Sequence, residues 1–247
     1  MFLGLQKRHF AILGFGFISI LLYLLDFYYL GNSRDVISSF LGNLAFLPVY
    51  IIFVMMIVEQ NMRERERQAI KNKLNMVIGV FFSEVGNKLL KELSSYVVMC
   101  DLLKAQLQVT DRWKDKDFEN AFQFLKNNEP NIDCEECNKK HLKILLVSKR
   151  TFLVGLLENQ NLLEHDQVTE MLWAIFHLLE ELEARVSFDN MPKSDITHIN
   201  NDIKRAFGYL SREWVYYMKH LKHDYPYLFS LAVRMNPMHD NPDPHIY

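Results

Sequence analysis

Glycine, proline and cysteine are all scarce in this 247-residue chain, at 9, 7 and 3 residues. So few prolines and glycines exclude collagen-like and low-complexity classes. Three cysteines, an odd number, exclude a framework of paired disulfides. No stretch alternates apolar and polar residues as a half-buried strand does, and no fixed-period repeat marks a solenoid. The chain also lacks GxSxG, GxGxxG, a phosphate-cradling glycine loop and HExxH, so no common nucleophile, nucleotide or metalloprotease signature supports an enzyme. Positive charge is missing too: the net charge is -2, and from residue 59 onward 25 basic residues face 28 acidic ones. That balance lacks the electrostatic footprint of a nucleic-acid binder.

What the sequence does have is apolar length. Phe10 to Leu30, FAILGFGFISILLYLLDFYYL, runs for 21 residues with Asp26 as its only charge. A second uncharged run, Ile37 to Val58, comes after the polar turn GNSRDV. At 1.5 Å per residue each is long enough to cross a hydrocarbon core of about 30 Å, and backbone groups in lipid must be satisfied within a helix. The expectation is a transmembrane hairpin over residues 1–58, with spans at about 10–30 and 37–58. The first run exceeds the h-region of a signal peptide, and no small-x-small cleavage site comes after it. Lys7 and Arg8 precede the first span, and Arg63, Arg65, Arg67, Lys71 and Lys73 come after the second, against Arg34 alone in the turn. The excess of basic residues predicts both termini in the cytoplasm, in a multi-pass protein of the cell (inner) membrane. Asp26 sits beside Phe27, Tyr28 and Tyr29 near the outer end, where a carboxylate reaches the headgroups. Asn43 and Pro48 predict an interhelical hydrogen bond and a kink.

Past the second run, EQNMRERERQAIKNK mixes signs at helical spacing, and apolar residues recur at Leu74, Val77, Ile78, Phe81, Phe82, Val85, Leu89, Leu93 and Tyr96. That rhythm predicts a long amphipathic juxtamembrane helix over 59–107, with a weak point at Gly86. Further helices are predicted at 114–127, 138–158, 165–187, 194–223 and 226–235, forming a cytoplasmic helical domain over 108–235. The tail, 236–247, holds three prolines and is expected to be disordered. The fold class is all-α.

Three stretches, LNMVIGVFFSEVG (74–86), LLENQNLLEHDQVTEMLWAIFHLLEELEAR (156–185) and DIKRAFGYLSREWVYYMKHLKHDYPYLFSLAVRMNP (202–237), together with the apolar runs, carry a resemblance. They resemble a family of uncharacterised prokaryotic membrane proteins with a two-helix N-terminal anchor and an all-α cytoplasmic domain. The resemblance spans roughly residues 44–237 and implies no activity.

Two constellations carry candidate chemistry. Cys134-x2-Cys137-x3-His141 offers two sulfurs and an imidazole to zinc, three of the four ligands a tetrahedral site needs. Glu135 and Glu136 flank the thiols and raise their pKa, and the reducing cytoplasm predicts free thiols rather than a disulfide. The second set lies on helices: His177 with Glu180 and Glu181, Asp195 with His198 and Asp202, and His220 with His223. Residues three or four apart share a helix face, so His177, Glu181, His198 and Asp202 are candidate ligands for zinc or iron if their two faces meet. A ferritin-like di-iron site needs Glu-x-x-His twice, and the chain has none, so capping and surface pairing are the expectation for these groups and no cofactor is predicted. The sequence therefore points first to a membrane-anchored scaffold or interaction protein, partnered by the bilayer and by a second copy or another membrane protein. A metal-dependent enzyme or metal sensor in the helical bundle is the alternative, and a small oligomeric channel or transporter the third.

Overall fold

The structure, a computed structural model, describes residues 17, 21, 22, 24, 25, 28, 33–98, 100–134, 137–159, 162 and 165–246. It divides into two compact units, Met1–Arg67 and Gln68–Tyr247. Both are helical, and an isolated antiparallel bridge between Val97 and Ile132 is the only β-pairing among the described residues.

In the first unit, most of the Phe10–Leu30 run, Asp26 included, lies outside the described residues; Phe17, Leu21, Leu22, Leu24, Leu25 and Tyr28 are helical. The second run lies in helix α1 (Ser33–Phe81), which takes Pro48 in its interior. Its large apolar side chains from Ile37 to Val58 are exposed on every side; Ile52, for example, is 61% exposed. Among the described residues this one helix is long and apolar enough to cross a membrane, with mean hydropathy 2.3 over its most apolar window. Just beyond, Glu59 and Arg63 meet at 2.5 Å, the expected i,i+4 pairing on an exposed face.

The second unit begins in the last turns of α1, where Leu74, Ile78 and Phe81 are buried. A π-helical turn, Phe82–Gly86, then adds a residue to the winding, which rotates the next helix by about 100°. The buried stripe continues on the rotated face as Phe82, Val85, Leu89 and Leu93, the last two in α2 (Asn87–Ser94). Consecutive Phe81 and Phe82 thus both reach the core, edge to face at 5.2 Å, and Phe82 stacks on Tyr217 at 4.8 Å. Gly86 makes the turn possible: a Cβ there would stand 2.5 Å from Phe82 Cδ1 and 2.8 Å from Phe81 Cε1.

The single helix expected over 59–107 is interrupted twice, by this turn and by residues 95–98. Ser94 and Ser95 return their hydroxyls to the carbonyls of Lys91 (2.8 Å) and Glu92 (2.6 Å), and side-chain hydroxyls that compete for helix carbonyls favour termination. Backbone bonds Val98 N to Asn131 O (2.8 Å) and Asp133 N to Tyr96 O (3.1 Å) hold the break. After it come α3 (Cys100–Leu107) and α4 (Asp115–Asn127), where Asp117 caps the Lys114 amide at 2.7 Å. The helix expected over 138–158 is split at Lys149 into α5 (Lys139–Ser148) and α6 (Arg150–Leu157).

The core is dominated by α7 (Asp166–Ala184) and α8 (Lys193–Asp224). Val168, Met171, Leu172, Ile175, Leu178, Leu179 and Leu182 form the buried stripe of α7. Ile199, Ile203, Phe207, Leu210, Trp214, Met218 and Leu221 form that of α8, and Trp214 Nε1 also donates to Asn87 Oδ1 at 3.2 Å. The connection between them turns at Asn190, which takes φ 59°, a left-handed conformation asparagine tolerates. Lys143 donates to the carbonyls of Glu183 (3.2 Å) and Arg185 (2.8 Å), placing a cation at the negative end of α7.

The last helix, α9 (Pro226–Arg234), opens on proline as expected. The tail departs from expectation, because Asn236 and Met238 are buried. Asn236 donates to the Leu107 carbonyl at the end of α3 at 2.9 Å, which also accepts from Val109 N at 2.8 Å, and the Asn236 Oδ1 accepts from Met238 N at 2.9 Å. These contacts tie the first residues of the tail, 236–238, to the end of α3.

Candidate metal centre

Four of the candidate ligands converge. His177 and Glu181 stand one turn apart on α7, His198 and Asp202 one turn apart on α8, and the two helices run antiparallel so that the four polar faces meet. His177 Nε2 lies 3.9 Å from Glu181 Oε1 and 3.5 Å from Asp202 Oδ2. His198 Nε2 lies 3.4 Å from Glu181 Oε2 and 3.3 Å from Asp202 Oδ2. One donor atom from each residue falls within 4.8 Å of all the others. A tetrahedral ion bound at about 2.1 Å sets its ligand atoms about 3.4 Å apart, so three of the four nitrogen–oxygen separations already match and the rest need a small side-chain adjustment.

Asp202 is the anchor of this arrangement. Its side chain is 2% exposed, and Oδ2 has no hydrogen-bond partner among the described residues. Arg205 Nη1 approaches the other oxygen at 3.6 Å. A buried carboxylate oxygen without a donor costs free energy, and a cation between Oδ2 and the two imidazoles removes that cost. The histidines, at 43% and 48% exposure, form the open side through which an ion would enter.

A further layer holds Glu181 in place. Arg185 Nη1 donates to Glu181 Oε2 at 2.7 Å and to the Glu181 carbonyl, while Nε and Nη2 grip both oxygens of Asp195 at 3.1 and 2.5 Å. The hydrogen bond from Arg185 holds the Glu181 carboxyl below the usual carboxylate range, with burial opposing and His198 assisting. Arg185 lowers Asp195 for the same reason. Such outer contacts fix a ligand's orientation and keep it ionised. Two imidazoles and two carboxylates in a near-tetrahedral set suit zinc and neighbouring divalent transition metals, not calcium or magnesium, which take oxygen ligands.

The other candidates separate. Asp195 serves Arg185, and Glu180 faces Arg150 at 3.8 Å. His220 Nδ1 pairs with Asp224 at 2.6 Å, whereas His223 Nε2 pairs with Asp115 at 2.7 Å, so these two imidazoles do not share a ligand site. Cys134 and Cys137 stand with their Cα atoms 4.6 Å apart and their sulfurs facing each other. His141 Nδ1 pairs with Glu92 Oε1 at 3.1 Å, so the sulfur pair and the imidazole of this set are engaged separately. Arg185 is the residue of the site that sequence reasoning misses, although its position four residues after Glu181 signals the contact.

Two family profiles cover nearly the whole chain. One, described as "MJ1433, N-terminal helical domain", matches residues 6–62. The other, "Uncharacterized protein MJ1433, C-terminal helical domain", matches residues 70–234. The uncharacterized protein MJ1433 of Methanocaldococcus jannaschii is 42% identical over 223 residues, covering 90% of this chain and 89% of that protein. No solved structure matches significantly.

Proposed function

The chain belongs to the MJ1433 family, and on that premise we propose that it is a membrane-anchored helical protein whose α7–α8 hairpin is clamped by a structural or sensing divalent transition metal. The observation that carries the reading is the convergence of His177, Glu181 and His198 on the buried Oδ2 of Asp202, which accepts no hydrogen bond among the described residues. Four protein ligands complete a tetrahedral shell and leave no position for a metal-activated water, which favours a structural or sensing ion over a hydrolytic one. Because the ligands come in pairs from two antiparallel helices, the ion ties one helix to the other. Anchoring rests on the exposed apolar surface of residues 37–58 and on the arginines beyond it.

Purified full-length protein, dialysed against zinc and analysed for metal, is expected to hold one ion per chain, and cobalt substitution to give the intense absorption of a tetrahedral site. A His177→Ala/His198→Ala variant loses both. Substoichiometric metal in the wild type, or full retention in the double variant, overturns the reading. Retention in the membrane pellet after alkaline carbonate extraction tests the anchor separately, and release into the supernatant refutes it.

A further inference from the structure

A cleft of about 530 Å³ opens in the second unit against the C-terminal half of α8, within the usual ~300–1,000 Å³ range of ligand pockets. It is separate from the metal cluster: Asp202 and Glu213 stand eleven residues apart on α8, about 16 Å along the axis. Its buried wall is Leu74, Ile78, Val168 and Glu213, and Lys71 and Lys219 stand at its margin.

Glu213 is the unexplained residue. It is 6% exposed, lies among the buried residues of α8 beside Leu210 and Trp214, and has no hydrogen-bond or ion-pair partner among the described residues. Its carboxyl opens on the cleft, where it is free to meet what enters. The lysines indicate the sign of that visitor. Neither Lys71 nor Lys219 has a carboxylate within 4.0 Å among the described residues, Lys219 acting on Asp115 only from farther away, while the acidic group at the mouth, Asp224, is engaged by His220 at 2.6 Å. The cleft therefore presents two available cations, an apolar wall and one buried acid.

We propose that this cleft binds a small amphipathic organic anion, its apolar body against Leu74, Ile78 and Val168 and its acidic head taken by Glu213 and the two lysines. Burial pushes the Glu213 carboxyl up to about 7, with Arg212 opposing. Near neutral pH a large share of it is thus a neutral acid whose O–H donates to the incoming anion. Burial also keeps the His220 imidazole below its ordinary value, against the pull of Asp224. It contributes shape and polarity at the mouth rather than a third cation.

The test is isothermal titration of full-length protein in lipid nanodiscs, with empty discs as the blank, using 1-naphthoate, 1-naphthylmethanol and 1-naphthylmethylammonium. The expected result is saturable one-to-one binding of naphthoate, at least about tenfold tighter than its neutral and cationic isosteres. Lys71→Ala/Lys219→Ala weakens naphthoate about tenfold without moving the thermal midpoint, since both lysines lie outside the core. Glu213→Gln keeps binding, because the amide donates where the acid did, and Glu213→Leu loses it. The His177→Ala/His198→Ala variant binds naphthoate as the wild type does, so this site and the metal site succeed or fail independently. Equal affinity for the cation or the alcohol, no saturable binding at all, or an unaltered affinity in the double lysine variant overturns the proposal.

Discussion

Two stretches of α1 use apolar residues in opposite ways. Residues 37–58 carry them on every side with no described side chain buried, whereas from Leu74 onward one stripe, Leu74, Ile78 and Phe81, is covered by the second unit and Met76 and Val80 stay exposed. The amount of hydrophobicity differs less than its distribution. A helix apolar all round has no polar face to give to water, while a striped helix has one face for a core and one for solvent. Only the striped stretch finds its apolar partners within the second unit.

Substitutions that delete the same kind of side chain in both places should separate the two most sharply. Leu89→Ala, in the fully buried continuation of the stripe, is expected to cost about 2–5 kcal/mol in unfolding followed by tryptophan fluorescence. All three tryptophans, Trp113, Trp173 and Trp214, lie in the second unit, so that signal reports it alone. Ile52→Ala should leave the same transition within about 0.5 kcal/mol; a comparable loss there would erase the distinction.

Glu213 makes the packed unit sensitive to pH in a way an uncharged apolar stretch is not. Its folded value is raised from 4.5 to about 7, so the stability tied to its neutral form is complete below 4.5 and lost as pH rises through 7. Glu213→Gln should therefore be more stable than wild type at pH 8, by up to about 3 kcal/mol, and nearly equal to it at pH 4. A constant difference across that window would mean that Glu213 does not titrate there.

Zinc should act on the same unit. At a hundredfold excess over its dissociation constant it is expected to add about 2.7 kcal/mol to the second unit's unfolding free energy, and His198→Ala should abolish the gain. Gly86→Ala tests the turn that rotates the stripe. The added methyl meets two phenylalanine rings, so a loss of about 1–3 kcal/mol is expected by overpacking, read from the same thermal transition. An unchanged midpoint would show that the rings adapt and that the turn does not depend on glycine.

Much of the second unit is legible from periodicity. The stripes of α7 and α8 and the bounds of α4, α8 and α9 agree with apolar spacing and caps to within a residue or two. The breaks at 95–98 and Lys149 are not legible, because no proline or glycine marks them. The first is set by serine hydroxyls returned to the helix and by a backbone bridge to residues 131–133. The metal cluster is half legible. Each His-x3-carboxylate pair can be read from spacing, but not that the α7 pair faces the α8 pair. That depends on the antiparallel register, which Arg185 and Asp195 lock. Cys134-x2-Cys137-x3-His141 is the sharper motif on spacing alone, and in the fold its two sulfurs face each other while His141 pairs with Glu92.

By itself the sequence determined the helical class, the split between an apolar first quarter and a charged remainder, and which residues pair along one helix face. These depend on composition and on spacing along a single helix, which are local. Only the tertiary structure decided which polar faces meet, that Asp202 is buried with an oxygen that accepts no hydrogen bond among the described residues, and that Glu213 lines a cleft. Those are properties of residues distant in the chain, and no local pattern carries the register between two helices.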